Sequence, residues 1–177
     1  MVGKTRIDKA LEVILYVLSK GCTDMYNVLK VIYFADKAHI EKTSCTMYKE
    51  DYVAMKFGPV PSAAYDIIKD VDLDRPSSFP GLNEKGAFKF TSKYTLMPLR
   101  EYNPDFFSDI DYDCLDAAVA QYGNMSMNDL ISASHSQYDY VNSTRNDMIP
   151  FELLVESVDK DGTQKEHIDN VKESVCA

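Results

Sequence analysis

The chain has 177 residues, 45% of them apolar and 27% charged, which is enough to close one hydrophobic core and far from the composition of a disordered chain. Lys and Arg number 19 against 28 Asp and Glu, a formal net charge of −9 with a pI near 4.8. That balance works against ordinary nucleic-acid binding, whose affinity comes largely from basic side chains releasing counterions.

Ile7, Ala10, Leu11, Ile14, Leu15 and Leu18 recur at the spacing of one helical face and predict a first helix closed by Gly21. A second helix is expected from Thr23, as cap, with Asp24 beside the positive end of the dipole. It turns Met25, Val28, Leu29 and Ile32 inward, and the same stripe runs on through Asp36, His39 and Ile40. Two polar side chains are therefore expected at the core or its margin. Residues 52–57 favour a strand, which Gly58-Pro59 breaks, and Pro61 is placed at the first position of a third helix reaching about Asp70. Pro76, Pro80 and Gly81 mark an exposed connection, and Phe88, Phe90, Tyr94 and Leu96 around Thr91-Ser92-Lys93 predict a hairpin. Ser108 and Ser126, each three residues before an aspartate, cap two more helices that end at Gly123 and His135. Residues 136–147 read as loop, and Pro150 opens a last helix through Leu154 and Val155. The expected fold is mainly α, one domain over residues 1–157 with a few short strands. Residues 158–177 form a charged tail, frayed helix or disordered.

Chemistry-bearing residues are sparse. The three histidines, His39, His135 and His167, are not paired at the spacing of a zinc-binding helix, so neither metal nor cofactor is expected. Asp36 with His39 is the one local pair that could orient an imidazole, yet no nucleophile motif accompanies it, and a satisfied structural pair is the competing account. Gly58-Pro59-Val60-Pro61 has two residues without amide hydrogens, the opposite of an anion cradle. The acidic run Asp105, Asp109, Asp111, Asp113 and Asp116 lacks the calcium-loop pattern and reads as helix-start acidity. Cys22, Cys45, Cys114 and Cys176 are scattered without a close pair, and no apolar run reaches membrane-spanning length or ends at a leader cleavage site. A reducing cytoplasm is expected. Tyrosines such as Tyr33, Tyr52, Tyr65, Tyr138 and Tyr140 are candidate interface anchors, with core packing as the alternative. An acidic surface suits a basic protein partner, or serves solubility alone.

The run Val31-Ile32-Tyr33-Phe34-Ala35-Asp36-Lys37-Ala38-His39-Ile40, then Tyr52-Val53-Ala54-Met55-Lys56-Phe57-Gly58-Pro59-Val60-Pro61 and Tyr65-Asp66, resembles the Panacea domain of SocA-like antitoxins. The likeness extends to Leu130 and Ser134-His135 and covers roughly residues 7–155. Where the family often has tryptophan after the late histidine, this chain has Tyr138 or Tyr140. The resemblance implies a mostly helical antitoxin of bacteria, phages or mobile elements that binds a protein toxin directly, in some relatives with delivery to a protease. It implies a distinctive polar patch of Asp36, His39, Lys56, Gly58, Pro59 and His135, whose roles in contact or in fixing the fold both stay open; with Tyr33, Phe57 and Tyr65 these are the candidate partner-binding residues. No enzyme, nucleic acid or membrane is implied. Two other readings are a phage protein that blocks a host defence or regulatory factor, and a hydrolase using Asp36, His39 and His135.

Overall fold

Residues 5–159 are described in the computed structural model. Helix α1 (Arg6–Ser19) opens on a reciprocal cap in which the Thr5 hydroxyl accepts the Asp8 amide and the Asp8 carboxylate accepts the Thr5 amide, satisfying two donors that lack helical partners. Gly21 follows the helix at φ +84°, the conformation expected of it. Helix α2 (Met25–Thr43) is capped by Asp24, whose Oδ1 accepts the Tyr26 amide at 2.9 Å and the Asn27 amide at 3.3 Å. The expected cap, Thr23, is engaged elsewhere: its carbonyl accepts the Leu96 amide at 2.8 Å.

Strands β1 (Tyr52–Met55) and β2 (Gly58–Pro61) form an antiparallel hairpin with Lys56 and Phe57 at its tip. Gly58-Pro59 therefore begins a second strand and does not end the extended run. Prolines at 59 and 61 are accommodated because β2 is an edge strand, where a missing amide hydrogen costs no ladder bond. The other edge of β1 is covered by residues 146–149, through Asn146 N–H to the Ala54 carbonyl at 2.7 Å and Ile149 N–H to the Tyr52 carbonyl at 2.7 Å. Pro61 caps helix α3 (Ser62–Asp72) instead of opening it, and it brings no side-chain cap. Glu50 supplies one from the preceding loop, accepting the Ala63 amide at 3.0 Å and the Ala64 amide at 3.3 Å.

Strands β3 (Phe88–Phe90) and β4 (Leu96–Pro98) make the predicted hairpin, and it is tied to the start of α2 by Met25 N–H to the Tyr94 carbonyl at 2.8 Å. Helices α4 (Asp109–Tyr122) and α5 (Met127–His135) start on Ser108 and Ser126 as expected. The stretch read as loop contains a four-residue helix, α6 (Tyr138–Val141), and α7 (Phe151–Val158) follows Pro150. With seven helices and two short strand pairs among the described residues, the fold is mainly α. The expected tail lies, from residue 160 onward, outside the described residues.

Helix α2 is the hub. It packs against α1, α3, α4, α5 and α7, and so buries side chains on almost every face, including the charged Lys30, Asp36 and Lys37. Asn27 shows how tightly it is held: its amide nitrogen donates to the carbonyls of Tyr122, Gly123 and Met125, covering acceptors at the end of α4 that have no helical partner.

Candidate functional site

The motif residues of α2 face inward. Asp36 is 1% exposed and accepts the Met47 amide at 2.8 Å and the Tyr52 hydroxyl at 2.5 Å. Burial pushes its carboxyl up to about 6, against the pull of those two donors. His39 does not pair with Asp36 by a hydrogen bond. Its Nδ1 lies 2.7 Å from the Cys45 carbonyl and its Nε2 lies 3.4 Å from Asp111 Oδ1. Burial lowers the imidazole pKa, but Asp111, the Cys45 carbonyl and the charge of Asp36 outweigh it and the net direction is up. Asp111 also takes the Lys9 ammonium at 2.7 Å and the Ser108 amide at 2.8 Å. One member of the acidic run is thus a buried hub joining α1, α2 and α4, and it starts α4 as its place at a helix N-terminus predicts.

Tyr33 and Lys37 complete the buried set. The Tyr33 hydroxyl donates to Asp139 Oδ2 at 2.7 Å, and the Lys37 ammonium reaches Asp139 Oδ1 at 2.7 Å and Gln137 Oε1 at 2.7 Å. This buried ion pair fixes the short α6 against α2, which explains helix in a stretch whose polarity suggested loop. Among the described residues no group of three His, Cys, Asp or Glu could hold a metal ion.

Gly58 and Pro59 sit over the same helix. Gly58 has φ +98°, and a Cβ there would meet Ser134 Oγ at 2.4 Å and Lys30 Nζ at 2.8 Å, so both its conformation and its surroundings require glycine. The Pro59 carbonyl accepts from Lys30 Nζ at 2.7 Å. His135, on the far side of Ser134, stacks on Tyr140 with ring centroids 4.6 Å apart, and its buried Nε2 has no hydrogen-bond partner. Its cleft is lined by Ala54, Tyr140, Val141, Ser143 and Arg145, and none of these contacts His39 or Asp36 through a hydrogen bond or ion pair. Asp36, His39 and His135 thus engage three separate sets of partners.

The remaining predicted residues open onto solvent. Lys56, Phe57 and Tyr65 line a groove of about 500 Å³ between the tip of the β1–β2 hairpin, the start of α2, α3 and the β3–β4 turn. Its other walls are residues that motif reading passes over: Tyr26 and Lys30 from α2, Lys69 from α3, and Lys93 and Tyr94 from the turn. Tyr26 and Tyr94 lie in ring contact at 5.3 Å, brought together by the hydrogen bond that ties the turn to α2. Lys30 had a sequence signal, a lone cation inside the apolar run Val28-Leu29-Lys30-Val31-Ile32. It is 4% exposed, and burial lowers its ammonium to about 7.

Comparison with curated proteins and with solved structures gives no match. A family model described as antitoxin SocA-like, Panacea domain, matches residues 28–138, more than half of the chain. That span runs from the first turn of α2 into α6. It takes in Tyr33, Asp36, Lys37, His39 and Asp111 of the buried cluster, though not Asp139 or Lys9, together with both hairpins and all of the groove except Met25 and Tyr26. The chain belongs to the family of SocA-like antitoxins with a Panacea domain.

Proposed function

We propose that the protein neutralises a protein toxin by binding it directly and covering its active surface. Membership of an antitoxin family supports a protein partner and a non-catalytic role, and the groove beside the Gly-Pro hairpin supplies a concave surface with aromatic walls for docking. In this reading Lys56, Phe57 and Tyr65 touch the toxin. Tyr33, Asp36 and His39 act at one remove, by holding the helix and the hairpin on which those contacts stand. Gly58 and Pro59 set the hairpin against Lys30, and His135 backs it from behind.

The observation that carries the reading is the family's motif placing an exposed Lys56-Phe57 tip on a buried, hydrogen-bonded base. It is tested by expressing the chain with the product of an adjacent gene that arrests growth. Rescue and copurification in a fixed ratio are expected; a neighbour that stays toxic and unbound overturns the reading. The amount of toxin in rescued cells separates two outcomes, since it stays constant under occlusion and falls if the captured toxin is handed to a protease.

A further inference from the structure

The charge of the groove is opposite to that of the protein. Against a net charge of −9, four lysines line it, Lys30, Lys56, Lys69 and Lys93, with Asp72 as the only carboxylate. Lys69 is paired with Asp72 at 3.3 Å. Among the described residues, Lys30, Lys56 and Lys93 have no carboxylate within ion-pair distance. Lys56 instead lies 5.2 Å from the Phe57 ring centre and Lys93 4.9 Å from that of Tyr94, both rings being exposed. Ammonium groups resting on aromatic faces are held in place while keeping their charge available to a ligand.

The geometry points to an acidic peptide segment of the protein partner as the occupant, an extended stretch in which carboxylates flank one apolar side chain. The inference rests on the toxin-binding reading and names the chemistry of what that surface takes. The rings of Tyr26, Tyr65 and Phe57 form an apolar bed for one side chain, and the lysines lie around it, within reach of carboxylates on either side. A segment of this kind is favoured over a nucleic acid by range. At physiological salt a charge is screened within about 8 Å, so a short segment in the groove meets the lysines and little else. A long polyanion must also lie along the acidic surface outside. The same contrast gives specificity, because a basic or neutral segment would leave Lys56 and Lys93 without a carboxylate on binding.

The test pans the whole protein against a displayed library of random peptides about ten residues long, and measures the recovered sequences by fluorescence anisotropy. Enrichment of Asp and Glu around a single aromatic or branched residue is expected. Binding should weaken as salt is raised and fall about tenfold or more in the double variant Lys56→Glu, Lys93→Glu, whose thermal unfolding stays unchanged because both side chains are outside the core. A basic or uncharged consensus, no enrichment, or binding indifferent to the double variant overturns the proposal. So does an oligothymidylate of the same length that binds as tightly as the recovered peptides. In the rescue assay, a wild-type chain and a double variant that neutralise equally well sink the groove and spare the antitoxin reading. A wild-type chain that fails to neutralise sinks the antitoxin reading, and the peptide measurements still decide the groove.

Discussion

Two sets of charged groups, one on helix α2 and one beside it, behave in opposite ways. Towards its C-terminal half, Lys37, Asp36 and His39 each meet a designated partner inside the protein: Asp139, Tyr52 with the Met47 amide, and Asp111. Beside its N-terminal half, the lysines of the groove meet aromatic rings, a backbone carbonyl or solvent, and only Lys69 has a carboxylate. The contrast separates two uses of the same residue types. A buried charge with its partner supplied holds elements together, whereas exposed cations without partners are available to another molecule. The most recognisable motif residues of the chain fall mostly in the first class.

The buried side is where substitution should cost most. Asp139→Ala leaves the Lys37 ammonium and the Tyr33 hydroxyl inside the protein without their acceptor, and a loss of about 3–5 kcal/mol is expected in urea unfolding. Replacing both charges, as Lys37→Met with Asp139→Leu, should restore a large part of that loss, because an uncompensated charge costs more than an absent pair. If Asp139→Ala costs less than about 1 kcal/mol, α6 is not locked in the way described and the comparison fails on its first side.

Glu50 gives the next effect and carries a sign. Burial pushes its carboxyl up to about 7, although the Ala63, Ala64 and Asp51 amides and the Tyr48 hydroxyl all hold it down. Folding therefore favours the protonated form. The stabilisation is full below the unfolded value, near 4.5, and is lost as pH rises through about 7. Glutamine cannot titrate, so Glu50→Gln should gain stability relative to the parent chain between pH 5 and 8, on the order of 2 kcal/mol. Denaturant unfolding across that range reads the slope, and a slope of opposite sign would mean that the four donors outweigh burial. Gly58→Ala follows, with about 1–2 kcal/mol from the positive φ alone. Adding Ser134→Ala should relieve the Oγ contact at that Cβ and leave the Lys30 Nζ contact and the backbone strain, so only part of the loss should return.

How much of this was legible in the sequence differs between the two sides. Helix positions follow from local chemistry, and Ser108, Ser126 and Gly21 act as their types predict. The inward facing of Asp36 and His39 also followed from the stripe they share with Val28 and Ile32. Their partners did not, because Asp111 and Asp139 are far along the chain and nothing local pairs them with α2. The same distance hid α6, whose helix depends on Asp139 reaching Lys37. At the groove, Lys56, Phe57 and Tyr65 stood out through the family resemblance, but Tyr26, Lys69, Lys93 and Tyr94 come from three segments that only tertiary packing brings together. Lys30 escaped because a single amphipathic stripe assigns it to the solvent side. A hub helix wrapped by five others has little solvent side to offer.

Asp72 supplies the smallest effect on stability and the sharpest separation of the two sides. Its pair with Lys69 spans one helical turn at the surface, with Lys69 half-buried and Asp72 exposed, and surface pairs of that kind are worth about 0–0.5 kcal/mol. Asp72→Asn should therefore leave unfolding where it is. At the groove the same change removes the one lining carboxylate and releases Lys69 towards whatever lies there. An acidic peptide should bind about two- to fivefold more tightly to the variant at low salt, with the gain shrinking as salt rises. Unfolding and anisotropy on a single protein preparation then read the two roles independently. A variant that loses stability by more than about 1 kcal/mol would place Asp72 among the internal locks, and one that binds the acidic peptide more weakly would reverse the charge preference assigned to the groove.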